Sequence, residues 1–485
     1  MTVFLFTPIA LPLLAALGYA GFGWRRTTAW LAPFVAALML ASAILLAISG
    51  PRGAGLLRAD ALSEFMLIVV SAVALLTTLA SPPHLEGEIA SGRATARTAA
   101  RHSLLVQLFL ATMNLAVLAA NLGVLWVAIE AATIVTAFLV GQYRTKAAVE
   151  AAWKYVVICS TGIALALLGT FLLNYAAAHA GDGGLDLAAL TGHAHALDPG
   201  VTRIAVALLV IGFGAKAGLA PLHAWLPDAY SEAPTPVSAL MSGALLSVAF
   251  YAVLRVKVIA DLALGPGFAR LLLAIMALAS LAVAATLLLA QRDYKRMLGY
   301  SSIEHLGLVS LAAAIGSPLA IAAALLHLLG HGLAKSVLFI GVGKVLQRFG
   351  SSRIDHVRGL AARGGLLAGC VGFGVLALIG LPPFSLFASE LGIARAGFAG
   401  GMGWATGTAL VLMLVIAAAL IGHTSRMLLG AAPEGPGAAA TPVKLSPATA
   451  IALVGGLLAS AVLGIAAGPL SSLLHAAAQL LTRTP

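Results

Sequence analysis

Charge is what this sequence has least of. Asp, Glu, Lys and Arg make up 9% of its residues against 61% hydrophobic ones, and the mean hydropathy is +1.03. A soluble domain carries roughly a quarter charged residues, so an ordinary water-soluble enzyme is excluded, and no polar stretch is long enough to form a catalytic domain of its own. Cysteine is nearly missing. Cys159 and Cys370 both sit in apolar runs without ligand spacing, which excludes a disulfide framework and a cysteine-held iron–sulfur cluster in this chain and leaves two small core residues. Acidic residues are scarce as well, 17 against 28 basic ones, for a net charge of +11. The excess does not point to nucleic acid, because the basic residues lie in short loops between apolar runs and not along one face. The first apolar run has no basic leader and resembles those that follow, so it reads as a first span and not as a cleaved signal.

What is present is a succession of apolar runs near the length of about 20 residues that a helix needs to cross a bilayer. They predict an all-α polytopic membrane protein of about fourteen spans, near 3–22, 28–49, 61–80, 102–119, 121–141, 150–177, 202–226, 237–259, 268–290, 296–315, 318–346, 364–395, 403–430 and 447–481. The last segments exceed one crossing, which predicts tilting, kinks at glycines or extension beyond the bilayer. The interruptions near 81–101, 178–200, 347–362 and 431–446 read as loops. His193 and His195 in one of them read as solvent-exposed residues, lacking the carboxylates a metal site would add. Loops after odd-numbered spans hold about eighteen Lys and Arg, and those after even-numbered spans about seven. The odd loops are therefore expected to face the cytoplasm and both termini the outer side.

Few ionisable residues remain inside the spans, and each needs a reason to be there, since a charge at bilayer depth costs roughly 2.5 kcal/mol or more unless paired or hydrated. Lys216 lies in IGFGAKAGLAPLHAWLPDAYSEAPTPVSALMSG, where Pro221, Pro227, Pro234 and Pro236 follow it. Prolines there break the helix, which lipid tolerates only where the break is buried in protein or lines a wet cavity. Glu130, in LWVAIEAATIV, is the carboxylate available to pair with Lys216, either as a structural tie between helices or as a protonatable relay group. His327, His331 and Lys335 recur every four residues in LLHLLGHGLAKSV, a row of about 12 Å along one helix face. Zinc binding through HxxxH is a weaker reading, since no third ligand is placed for it. Pro382 and Pro383 break IGLPPFSLFASELGI in the same manner, with Glu390 following. Glu304 and His305 in YSSIEHLGLV point about 100° apart, so they need not share a site; they read as an access point to a proton path or as a capped, partly solvated helix start.

These residues describe two acid/base stations, Glu130 with Lys216 and Lys335 with Glu390 through histidines, each beside a proline-broken helix. The order of spans suggests two five-helix units, inverted relative to each other as in many transporters. The expected organisation is an N-terminal three-helix segment over 1–101, repeats over 102–259 and 260–430, and a C-terminal helix over 431–485.

The segments GAKAGLAPLHAWLPDAYSEAPTPVSALMSGALL, RDYKRMLGYSSIEHLGLV, HLLGHGLAKSVLFIGVGKV and GLPPFSLFASE, in that order, resemble the antiporter-like, proton-translocating membrane subunits of respiratory complex I, of multi-subunit cation/proton antiporters and of group 4 membrane-bound [NiFe] hydrogenases. The fifth and sixth spans look most like component F of hydrogenase 4. The resemblance implies that Glu130, Lys216, Lys335 and Glu390 form a proton relay with His327 and His331, Glu390 standing where other members carry a lysine. Ser247 stands where some relatives place a lysine or histidine between the stations, and His223, Asp228, Glu304 and His305 are further candidates for relay or access. It further implies no cofactor in this chain, with the [NiFe] centre and iron–sulfur clusters in partner subunits. The expected partners are other membrane subunits, including further antiporter-like ones, a peripheral redox module and the lipid bilayer, in a bacterial inner membrane. The competing expectations are a subunit of a multi-subunit Na⁺/H⁺ antiporter and a membrane anchor that pumps nothing.

Overall fold

Small polar residues stop and start the apolar runs. Asp60 accepts from the Ser63 N–H (3.0 Å), Thr95 from Thr98, Thr145 from Ala148, Asp198 from Val201 and Ser317 from Ala320, each capping the helix that follows. Pro199, Pro318 and Pro447 occupy first helical turns, where a missing N–H costs nothing.

A computed structural model describes residues 3–181, 184–363, 365–429 and 444–482. The helices are α1 (Val3–Phe22), α2 (Leu31–Ser49), α3 (Ala61–Ala90), α4 (Ala96–Leu118), α5 (Leu122–Val140), α6 (Lys146–His179), α7 (Pro199–Lys216), α8 (Trp225–Glu232), α9 (Thr235–Leu264), α10 (Pro266–Leu289), α11 (Tyr294–Ile315), α12 (Pro318–Phe349), α13 (Gly365–Leu378), α14 (Ser385–Ala399), α15 (Gly403–Leu429), α16 (Pro447–Ile465) and α17 (Gly468–Leu481). Among the described residues 13 helices are long and apolar enough to cross a membrane, and α13 and the end of α17 are shorter apolar helices. The chain is a polytopic all-α membrane protein. A two-stranded hairpin, Arg52–Ala54 with Leu57–Ala59, lies between α2 and α3.

Several boundaries differ from the sequence expectation, among them the end of the seventh span, which stops at Lys216 and not near 226, and a short helix, Leu187–Gly192, inside the loop expected near 178–200. Of the loop expected near 81–101, residues 81–90 continue α3 through Pro82 and Pro83 and residues 96–101 begin α4. The polar end of α12 supports that extension: Gln347 donates to the His84 carbonyl (3.1 Å) and to Glu88 (2.9 Å), and Lys344 to the Pro83 carbonyl (3.3 Å). Lys295, counted above with the loop charges, is 2% exposed and donates to the carbonyls of Ser231 (2.5 Å) and Ala233 (2.7 Å), closing the C-terminal end of α8. The last span turns at Ala466–Ala467 between α16 and α17. Most of the loop expected near 431–446 lies outside the described residues.

The spans are not equivalent in burial. The apolar stretches of α9 and α12 are wholly buried and that of α11 nearly so, whereas α1, α2, α15 and α16 expose most of theirs. A helix surrounded by other helices can carry polar groups that lipid would reject, so the interior helices are where function can be placed.

Candidate functional site: a line of buried polar side chains

The helix breaks are held by the groups they expose. After α7, Ala220 donates its N–H to Ser280 Oγ (2.9 Å) on α10, and Trp225 Nε1 donates to the Ala215 carbonyl (3.0 Å). In this way donors and acceptors orphaned by the break beside Pro221 find partners inside protein. Between α13 and α14, beside Pro382 and Pro383, Gly380 has φ +68° and any Cβ on it would lie 1.9 Å from Glu390 Oε2. Only glycine lets the carboxylate come this close to the break.

Lys216 closes α7 with no exposed surface. Its Nζ donates to Thr133 Oγ1 on α5 (2.8 Å) and to the Tyr155 hydroxyl on α6, and lies 4.4 Å from the Tyr155 ring centroid. Glu130 makes no ion pair with it. Glu130 sits three residues before Thr133 on α5, half-buried, with Oε2 enclosed and unpartnered, so Thr133 stands between carboxylate and ammonium. Cys159, one turn beyond Tyr155 on α6, is fully buried.

Around Lys335 the arrangement is longer. Its Nζ donates to the Leu298 carbonyl (2.6 Å) and to Ser301 Oγ, both on α11. Glu304 follows Ser301 by one helical turn and lies 3.7 Å from His305 Nε2. His305 Nδ1 is hydrogen-bonded to His327 Nε2 (3.0 Å), and His327 Nδ1 to Ser389 Oγ (2.9 Å) on α14. Ligand atoms of His305, His327 and Glu390 all lie within 4.8 Å of one another. The His331 ring stands 5.0 Å from that of His305, with both nitrogens buried and unpartnered. Glu304 and His305, adjacent in sequence and pointing apart on their helix, thus both face this cluster, because α12 and α14 close over that part of α11.

The two groups are linked by residues that periodicity did not single out. Tyr155 meets Trp225 edge-on (5.0 Å), Trp225 meets Tyr230 (6.3 Å), and the Tyr230 hydroxyl is buried without a partner. A π-helical turn at Met241–Leu245 interrupts α9 and carries Ser242, whose hydroxyl meets that of Ser302 (3.0 Å), next to the Ser301 that binds Lys335. Single π turns commonly mark functional positions. Ser247, the position expected to bridge, turns back to the Gly243 carbonyl of its own helix (2.7 Å). Asp228 is held by Lys154 (3.0 Å) and Arg296 (2.5 Å) in a partly exposed cluster, and His223 is half-buried in the α7–α8 break with Nδ1 unpartnered. Thr133, Tyr155, Ser242, Ser301, Ser302 and Ser389 were missed as hydroxyls in apolar text. The available signal was that a buried lysine without a contacting carboxylate needs neutral acceptors.

The fold and the site together define a membrane protein whose interior carries a file of protonatable and hydroxyl groups between two broken helices. The chain belongs to the NADH:quinone oxidoreductase/Mrp antiporter transmembrane family, whose profile matches residues 119–419, and it is an antiporter-like membrane subunit. It is 37% identical over 399 residues to the hydrogenase-4 component F homolog of Methylacidiphilum infernorum, covering 81% of this chain and 83% of that one. A chain of the membrane-bound sulfane sulfur reductase, an archaeal respiratory membrane complex, superposes with a TM-score of 0.88 at 25% identity, over 100% of this chain and 98% of its own. A chain of respiratory complex I from Thermus thermophilus gives 0.79 at 27% identity, over 97% of this chain and 99% of its own.

Proposed function

We propose that this chain is a proton-translocating subunit of a bacterial energy-converting redox complex of the hydrogenase-4 or formate hydrogenlyase type. Partner subunits would hold the [NiFe] centre and the iron–sulfur clusters, and a peripheral redox module would drive the membrane part. The observation that carries the reading is the hydrogen-bonded run from His305 through His327 to Ser389, with Glu390 beside it and with Lys335 bound to Ser301 one turn before Glu304 on the same helix. Groups at hydrogen-bond distance in a water-poor interior can hand a proton along without moving a charge through lipid.

Each member has a definite part. Lys216 holds a proton against two neutral oxygens, and approach of the Glu130 carboxylate strengthens that hold while its withdrawal weakens it. Lys335 does the same against Ser301, with Glu304 as the nearby carboxylate. His305 and His327 pass the proton by exchanging donor and acceptor roles between Nδ1 and Nε2, and Glu390 receives it at the far broken helix. The two stations would occupy repeats over 102–259 and 260–430.

The test is the whole complex in liposomes, driven by its electron donor, with internal acidification read by a dye. Lys335→Ala is expected to leave electron transfer running and to abolish acidification; acidification equal to the unsubstituted complex would reject the reading. The same chain alone in liposomes is expected not to exchange Na⁺ for H⁺, and robust exchange would favour a self-contained antiporter.

A further inference from the structure

A cavity of about 900 Å³ opens between α4, α5 and α6 at the end where the loops 91–95 and 141–145 lie. Those loops follow odd-numbered spans, and with the first turns of α4 they belong to the more basic end of the chain's spans, the pattern of a cytoplasmic face. Arg93, Arg97, Arg101 and Arg144 ring the cavity mouth. Arg93 is already neutralised, its Nε and Nη2 both 2.9 Å from Glu88 carboxylate oxygens. The other three are exposed and have no carboxylate partner among the described residues. Arg144 is moreover the one non-glycine residue among them with a positive φ, +54°, a conformation that costs roughly 1 kcal/mol or more in a residue with a Cβ.

The walls below the mouth are of opposite character. Ile134 and Phe138 on α5 and Val149 and Trp153 on α6 are about half exposed, and Val156 continues the wall. From Lys146 to Val156 this apolar wall runs about 15 Å along α6. The Arg101 guanidinium stacks 5.5 Å from the Phe138 ring centroid, so one cation already sits at the boundary between the two zones. Three free guanidiniums above a tapering apolar wall match an anion tethered to hydrocarbon, because guanidinium binds phosphate oxygens bidentately while the wall takes an acyl chain.

We propose that this cavity binds the phosphate headgroup of an anionic phospholipid, with an acyl chain lying along α5 and α6. The site is separate from the polar file and does not depend on the function proposed above.

The test uses the intact complex in nanodiscs of equal phosphatidylglycerol and phosphatidylcholine, transferred to detergent, with retained lipids counted by native mass spectrometry. Phosphatidylglycerol is expected to be retained about tenfold over phosphatidylcholine. Combined Arg97→Gln, Arg101→Gln and Arg144→Gln should remove the preference, while Arg25→Gln with Arg26→Gln, basic residues of a different loop, should keep it. An undiminished preference in the triple variant, or no preference in the unsubstituted complex, overturns the proposal. So does displacement of the lipid by millimolar inorganic phosphate, which would mark a free-anion site. A benzophenone amino acid at Val149 should crosslink to lipid; crosslinking to a neighbouring subunit instead also overturns it. If the triple variant does not assemble, Arg144→Gln alone is expected to show a partial loss of preference, and an unchanged preference counts against the site.

Discussion

Lys216 and Lys335 are both completely buried, and each has a proline-broken helix in its surroundings, yet their neighbourhoods differ in kind. Lys216 is met by one threonine and one tyrosine, and its carboxylate, Glu130, stands off behind Thr133. Lys335 is met by a serine and a carbonyl, with two glutamates and three histidines beyond. The first region can hold a proton on essentially one group; the second offers several. On the proposed reading the Lys216 region is a gate, set by how near Glu130 comes, and the Lys335 region is a conduit, set by hydrogen-bond continuity. The second lies on the wholly or nearly wholly buried α11 and α12, while the first lies on the inward faces of α5, α6 and α7, whose outer faces are exposed.

The largest effect should come from breaking the conduit at its charged end. Lys335→Ala is expected to reduce proton translocation per electron about a hundredfold, the scale on which a positioned proton-transfer group acts, measured as internal acidification during turnover. A residual rate near that of the unsubstituted complex would mean that the histidines conduct without the lysine. The gate can be tested with less damage. Tyr155→Phe removes one of two side-chain acceptors from a buried ammonium, a loss of about 1–3 kcal/mol, and should lower the melting temperature while slowing translocation about tenfold. If instead only stability falls, Lys216 is a structural lysine and the two regions are not comparable.

The link between the regions comes next. Ser242→Ala is expected to slow translocation severalfold and Ser247→Ala to leave it unchanged, since only the former meets the Lys335 side, through Ser302. The reverse order would place the bridge where the sequence first suggested it.

The smallest effect on transport should come from the opposite membrane face. Arg255 holds Asp60 through two hydrogen bonds of 2.7 Å. Burial pushes the Asp60 carboxyl up, but the Arg255 charge and hydrogen bonds outweigh it and bring it down from 3.8 to about 2. A carboxyl lowered on folding contributes stability that is complete above its unfolded value and lost as pH falls toward the folded one, here from about pH 4 down to 2. Asp60→Asn should therefore cost about 2 kcal/mol at neutral pH and progressively less below pH 4, followed by thermal unfolding, with translocation per electron unaltered.

Much of this was legible in the sequence for one reason: in lipid, composition and fold are nearly the same statement. Apolar runs of bilayer length marked almost every span, and the charges left inside them marked Glu130, Lys216, Lys335 and Glu390 as costly residues needing a use. The row His327, His331, Lys335 followed from helical period alone. What failed was the reading of neutral polar residues. Ser301, Ser389 and Thr133 cost little to place in a helix, since each can also bond its own backbone, and Tyr155 is at home in an apolar run, so nothing in the text separates a hydroxyl that meets a buried lysine or histidine from one that does not. The loop expected near 81–101 failed over 81–90 likewise, because Gln347 and Lys344, about 260 residues away, stabilise that helix end.

The sequence by itself determined that this is a helical membrane protein with a few buried charges, because burying apolar surface and satisfying the backbone are local demands that each span meets alone. Only the tertiary structure decided which of those charges touch. It set Thr133 between Glu130 and Lys216, brought Glu304 and His305 into one cluster with His327 and Glu390, and turned Ser247 back on its own helix while Ser242 meets Ser302. Those relations depend on the packing of α5, α6, α9, α11, α12 and α14 against one another, and no single helix contains them.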